Sequence, residues 1–210
     1  MAPPGPAPDL AAIRAGTPAV YRAHAADWDA RRPRMLSEAP WLDRLAAAMP
    51  PGPLLDLGCG AGEPIARRFL EAGRAVLGLD AAPGMLALAR ARLPQGRWIL
   101  GDMRHLDRPE RFAGILSWDA SFHLTPAEHR ALLPRLARHL RPGGALLLTV
   151  GPRAGETAGH VAGKPVYHSS LDPAELRARL LALGFARVEV AVEDPACDGH
   201  SLAFAEGFAP

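Results

Sequence analysis

The chain has 210 residues, of which 49% are hydrophobic and 22% charged, with a net charge of +2. That length accommodates one domain with a sizeable core, and the near-neutral balance argues against a nucleic-acid or membrane partner held by charge. Two cysteines with no metal spacing exclude a disulfide framework, and no stretch of 18 apolar residues or basic-then-apolar leader occurs, so a cytoplasmic location with reduced thiols is expected.

Four prolines among residues 1–8 remove any periodicity, and 1–17 reads as an irregular tail. Pro18 opens a helical pattern to about Arg31, with Val20, Tyr21, His24 and Trp28 roughly on one stripe. A second helix follows Pro40 through Trp41, Leu42, Leu45 and Met49, and Pro50-Pro51-Gly52-Pro53 stops it. Residues 18–50 are therefore expected to form a helical lid ahead of a domain at 51–210. Alternation follows: strands are predicted at 53–58, 75–80, 97–101, 113–118 and 144–150, and helices at 63–72, 84–92 and 126–140. The strands are continuous apolar runs such as Ala145-Leu-Leu-Leu-Thr-Val150, which suits a parallel sheet covered on both faces. The fold class is α/β, doubly wound. Residues 151–168 are rich in Gly, Pro and His with little periodicity. A helix is predicted from Pro173 to Leu183 with Gly184 as its cap. Strands at 187–192 and 200–205 are joined by a linker short enough for a hairpin.

The chemistry concentrates at Asp56-Leu-Gly58-Cys59-Gly60-Ala-Gly62, where an apolar run breaks into three glycines before a helix. Glycine permits close approach of a ligand to the backbone, and a helix start offers unpaired N–H groups. Twenty residues beyond Gly60, the second strand ends in Asp80, an acid able to accept both hydroxyls of a ribose. These features alone suit NAD, FAD or S-adenosylmethionine. A dinucleotide fingerprint would require glycine at 63, where Glu63 stands, and Asp56 precedes the glycines by two residues.

In these residues the chain resembles the class I S-adenosylmethionine-dependent methyltransferases, over about 50–205. Its first motif looks like Asp56 to Gly62; Leu140-Arg-Pro-Gly-Gly144 resembles the approach to strand five, and Gly184-Phe185 the entry to strand six. The resemblance implies a mostly parallel seven-stranded sheet whose last strand is antiparallel and inserted by a hairpin. It implies S-adenosylmethionine as cofactor and S-adenosylhomocysteine as product. The glycine turn would lie under the methionine part, Asp80 on the ribose, Asp102 at the adenine amine and Met103 by the ring. The expected cofactor-binding set is Asp56, Gly58, Cys59, Gly60, Gly62, Asp80, Ala81, Met85, Asp102, Met103, Trp118 and Asp119.

The acceptor should meet the cofactor at the carboxyl edge of the sheet, after strand four. There His123 is the expected catalytic base or substrate-orienting residue, with a purely structural hydrogen bond as the competing role. Asp119 could bind substrate, contact the cofactor or cap a turn. Tyr167 and His168, in the loop at 151–170, and Trp28 complete the expected substrate residues, with Tyr21 a second lid residue able to reach inward. His105, His129 and His139 read as structural or solvated. No Asn/Asp-Pro-Pro-Tyr/Phe run, no glutamate pair and no catechol-type acid cluster stands after strand four. A small-molecule O or N acceptor remains, with no metal, acting as monomer or homodimer. The alternatives are a non-catalytic S-adenosylmethionine-binding protein and a methyltransferase acting on RNA or protein.

Overall fold

The computed structural model describes residues 8–32 and 36–210. Helix α1 (Leu10–Ala23) begins eight residues before the predicted start, so the expectation of an irregular tail through residue 17 is corrected for Leu10–Thr17; residues 1–7 lie outside the described residues. Asp9 accounts for the early start: its carboxylate accepts the N–H of Ala12 at 3.0 Å as an N-cap. Pro18 sits inside the helix rather than opening it. Helices α2 (Ala25–Arg31) and α3 (Ala39–Ala48) follow.

The main sheet has seven strands in the order β3-β2-β1-β4-β5-β9-β8. Its members are β1 (Leu54–Leu57), β2 (Val76–Asp80), β3 (Arg97–Leu100), β4 (Phe112–Ser117), β5 (Leu140–Val150), β8 (Phe185–Asp194) and β9 (His200–Phe208). β1 pairs in parallel with both β2 and β4, and β4 with β5, whereas β9 is antiparallel to both β5 and β8. The hairpin β8–β9 thus inserts the last strand between β5 and β8, as the resemblance implies.

Alternate side chains of each strand serve opposite faces. Leu54 and Leu147 join the core formed with α3, α4 (Ile65–Glu71) and α5 (Pro83–Arg92) through Leu42, Leu45, Phe69 and Leu86. Leu55, Leu57, Leu146 and Leu148 join the opposite core, formed with α6 (Pro126–His139) and α7 (Pro173–Ala182) through Leu132, Leu136, Leu176 and Leu180. Both faces of the central strands are therefore dry, which explains their unbroken apolar runs.

The segment read as aperiodic is a second, two-stranded sheet of β6 (Gly155–Val161) and β7 (Lys164–Ser170). Ala162 and Gly163, both at positive φ, form the tight turn between them, and the glycines and histidines of the flanking strands obscure the period-2 pattern. β7 packs on α1, where the Tyr167 N–H donates to Thr17 Oγ1 at 2.9 Å. The strand order reverses between β1 and β4, so the carboxyl ends of these strands open a crevice. Among the described residues, no helix is long and apolar enough to cross a membrane.

Candidate cofactor and acceptor site

The crevice is one cavity bounded by the β1–α4 turn, the ends of β2 to β4, and the lid helices α1 and α2. Gly58 has φ +76°, and a Cβ there would lie 2.2 Å from that of Ala120, so this position is closed to any other residue. Gly60 has φ +54°, and a Cβ there would meet nothing nearer than Met85 Sδ at 4.0 Å. Its bare backbone therefore faces the cavity. Asp80 braces the turn: Oδ2 accepts the Gly60 N–H and Oδ1 the Ala82 N–H, each at 2.8 Å. Burial raises the Asp80 pKa, and these amides oppose the rise.

Asp56, 4% exposed at the cavity floor, has no hydrogen bond to its carboxylate among the described residues. Burial pushes it up to about 7, against the pull of Arg32. Glu63 accepts from Arg67 Nε at 2.7 Å and Arg92 Nη1 at 3.2 Å. Arg92 also grips Asp29 of α2 through both terminal nitrogens, at 2.8 and 2.7 Å, tying the lid to α5. Asp102 is engaged by its neighbour: Arg104 Nε lies 3.0 and 2.9 Å from its two oxygens, and Arg104 Nη1 reaches Glu128 at 3.1 Å. Burial works against Asp102's ionisation, but these bonds hold its pKa below the usual carboxylate value.

The opposite wall is assembled from distant parts of the chain. After β4, Asp119 adopts φ +50°, a strained region for a residue with a side chain. Its N–H donates to Thr149 Oγ1 at 2.8 Å, and its carboxylate lies 3.3 Å from His200 Nε2 and 3.8 Å from Arg32. The Asp119 contact pushes His200 up to about 9. His123 ends the short turn Ser121–His123; its Nδ1 lies 2.7 Å from the Tyr167 carbonyl and its Nε2 2.8 Å from the Tyr21 hydroxyl. A carbonyl can only accept, so Nδ1 carries the proton and bare Nε2 accepts from Tyr21. Burial pulls His123 down to about 4 and pushes Tyr21 up, the latter helped by Asp119 and Asp80. Both groups are neutral at neutral pH, and the edge of Tyr21 also meets Trp28, with ring centroids 5.8 Å apart.

Residues 54–144 match the family model described as a methyltransferase domain. A trans-aconitate 2-methyltransferase of Methylobacterium nodulans is 39% identical over 159 residues, covering 70% of this chain and 60% of that protein. A malonyl-[acyl-carrier protein] O-methyltransferase of Serratia marcescens is 34% identical over 105 residues, 50% of this chain and 40% of that one. Among solved structures, an amino pentose methyltransferase from Micromonospora echinaspora with SAM bound is 26% identical, with a TM-score of 0.67 over 88% of this chain and 96% of that one. Residues 54–144 thus carry a methyltransferase domain, and the fold is that of the class I S-adenosylmethionine-dependent methyltransferases. The chain spans less than two thirds of the length of the relatives matched by sequence.

All of the residues expected at the cofactor, from Asp56 through Asp119, line this cavity, as do Trp28 and His123. Two expected substrate residues do not. Tyr167 is 1% exposed and its hydroxyl donates to Glu156, so only its backbone serves the site, by holding His123 and Thr17. His168 stands behind His123, with centroids 5.0 Å apart and its ring against Phe122 at 4.6 Å. Sequence reading overlooks Arg14 and Thr17, which line the cavity from the part of α1 assigned to the tail. The available signal is Asp9 as an N-cap. It also overlooks Arg32 and Glu128, for which no local pattern exists.

Proposed function

We propose that this methyltransferase transfers a methyl group from S-adenosylmethionine to an O or N nucleophile on a small molecule. The observation that carries the reading is the union, in one cavity, of the glycine turn braced by Asp80 and the Tyr21–His123 pair. The residues present fit the cofactor: the open backbone at Gly60 accepts close approach, and the buried Asp56 carboxylate suits a cationic ligand. We assign Asp80 to the ribose, Gly58, Cys59, Gly60 and Gly62 with Asp56 to the methionine side, and Ala81, Met85, Met103 and Asp102 to the adenosine side. Trp118 and Asp119 border the reacting end. When bound, S-adenosylmethionine supplies a methyl group already activated by its sulfonium.

The protein's task is then alignment and exclusion of water. Positioning alone can contribute roughly 7–11 kcal/mol in favourable cases. Helices α1 and α2 act as a lid, with Tyr21 and Trp28 as its inner surface. His123, near 4, is a weak base, and its Nε2 is already occupied. It therefore fixes Tyr21, whose oxygen lone pairs accept a hydrogen bond from the acceptor and orient the nucleophile. A roofed cavity of this kind supports catalysis over a purely cofactor-binding role. Calorimetry with S-adenosylmethionine and S-adenosylhomocysteine tests the reading. Micromolar binding of both is expected, and absence of binding refutes it.

A further inference from the structure

We propose that the methyl acceptor is an amine on a molecule without net negative charge, and not a polycarboxylate such as the trans-aconitate for which several sequence relatives are named. The inference rests on the methyltransferase reading above.

A tricarboxylate needs cationic donors with free hydrogen-bonding capacity. Among the described residues, three guanidiniums line the cavity, those of Arg14, Arg32 and Arg104. Each lies within 4.0 Å of a protein carboxylate. Arg104 is held between Asp102 and Glu128. Arg32 bridges Glu38 at 3.4 Å and Asp119 at 3.8 Å, and Arg14 lies 4.0 Å from Glu128. Seven carboxylates line the same cavity. Arg92 holds Asp29 and Glu63, and His200 lies against Asp119, but Asp56 and Asp80 have no cationic partner within 4 Å among the described residues. A polycarboxylate would have to displace internal ion pairs and then sit beside the acids it freed, which is unfavourable in a partly desolvated cavity.

The same surroundings favour an amine. Tyr21, Trp28 and Trp118 present aromatic surface to the cavity, and aromatic faces with nearby carboxylates attract cations. The Tyr21 oxygen, with its proton committed to His123, is left as an acceptor for an N–H group. An incoming ammonium gives one proton to water. Its nitrogen lone pair then forms the new N–C bond as the S–C bond breaks, with that electron pair remaining on sulfur. The product ammonium carries the charge that the sulfonium held, so atoms and charge balance.

The test uses the full chain with tritiated S-adenosylmethionine and two sets of acceptors. One is trans-aconitate and citrate. The other is a panel of primary and secondary amines on alkyl, aryl-alkyl and aminosugar scaffolds. In parallel, trans-aconitate is titrated calorimetrically into the chain loaded with S-adenosylhomocysteine. Methyl transfer to at least one amine, none to either polycarboxylate and no heat from trans-aconitate are expected. Transfer to trans-aconitate, saturable heat from it, or transfer to no amine overturns the proposal. Failure to bind S-adenosylhomocysteine refutes the methyltransferase reading instead.

Discussion

The two walls of the cavity are built by opposite means. On the cofactor wall, one short stretch from Asp56 to Gly62 and the acid at Asp80 create the site through backbone geometry, with the Asp80 carboxylate locking two amides. On the acceptor wall, the key pair joins residues 102 positions apart, and the carbonyl that orients it comes from a further 44 residues along. The first wall works because Gly58 and Gly60 adopt positive φ, which residues with a Cβ rarely reach. The second works only once α1 has docked on β7. A common cofactor can thus be kept in place while the acceptor wall is rebuilt by changing residues outside any motif.

Substitutions can break this division, and their effects should fall in order. Asp80→Ala removes both the brace of the turn and the proposed ribose contacts. Charge-assisted hydrogen bonds contribute about 1.5–3 kcal/mol each, so the Kd for S-adenosylhomocysteine should rise by about 100-fold or more in calorimetry. An unchanged Kd would separate Asp80 from the cofactor. His123→Ala frees the Tyr21 ring and should lower kcat on the order of 100-fold. The Kd for S-adenosylhomocysteine should stay within about twofold; a large loss of affinity would move His123 to the cofactor wall. Tyr21→Phe deletes only the hydroxyl and should cost roughly tenfold in kcat/KM, about one hydrogen bond. Equal activity in Tyr21→Phe would show that the pair orients nothing.

A pH titration sharpens the same comparison. The folded His123 pKa lies near 4, below the ordinary 6.5. The unfolded chain therefore takes up this proton first as pH falls. The stabilisation due to neutral His123 is complete above about 6.5 and lost between 6.5 and 4. The stability of the native chain relative to His123→Gln, measured by urea unfolding, should fall across that window and stay flat above it. Nitrogen-15 imidazole shifts should report Nδ1–H throughout the flat region; titration near 6.5 would show an open ring. The smallest effect belongs to Tyr167→Phe. Because its hydroxyl reaches Glu156 and not the cavity, turnover should stay within about twofold, with a stability loss of about 1 kcal/mol. A large fall in turnover would restore Tyr167 as a substrate residue.

What can be read from the sequence follows the same line. The parallel strands announce themselves as apolar runs, and their turns as Gly and Pro, because these signals are local. The hairpin at β8–β9 is legible because its two strands are neighbours in the chain. The start of α1 is not: Pro18 imitates a helix opening, whereas Asp9 is the cap. Nor is the β6–β7 sheet, whose small residues carry no clear alternation. In the site, the lining role of Cys59 or Met85 follows from the turn and the helix beside it. The inward role of Tyr21 and the outward side chain of Tyr167 depend on the docking of α1 against β7, which no spacing encodes.

A structure of the chain with S-adenosylhomocysteine bound tests the central claim most directly. The account predicts the homocysteine moiety over Gly58–Gly62, the ribose on Asp80 and the sulfur turned toward the space beside the Tyr21–His123 pair. A ligand whose sulfur faces away from that pair, or one bound outside the glycine turn, would contradict it.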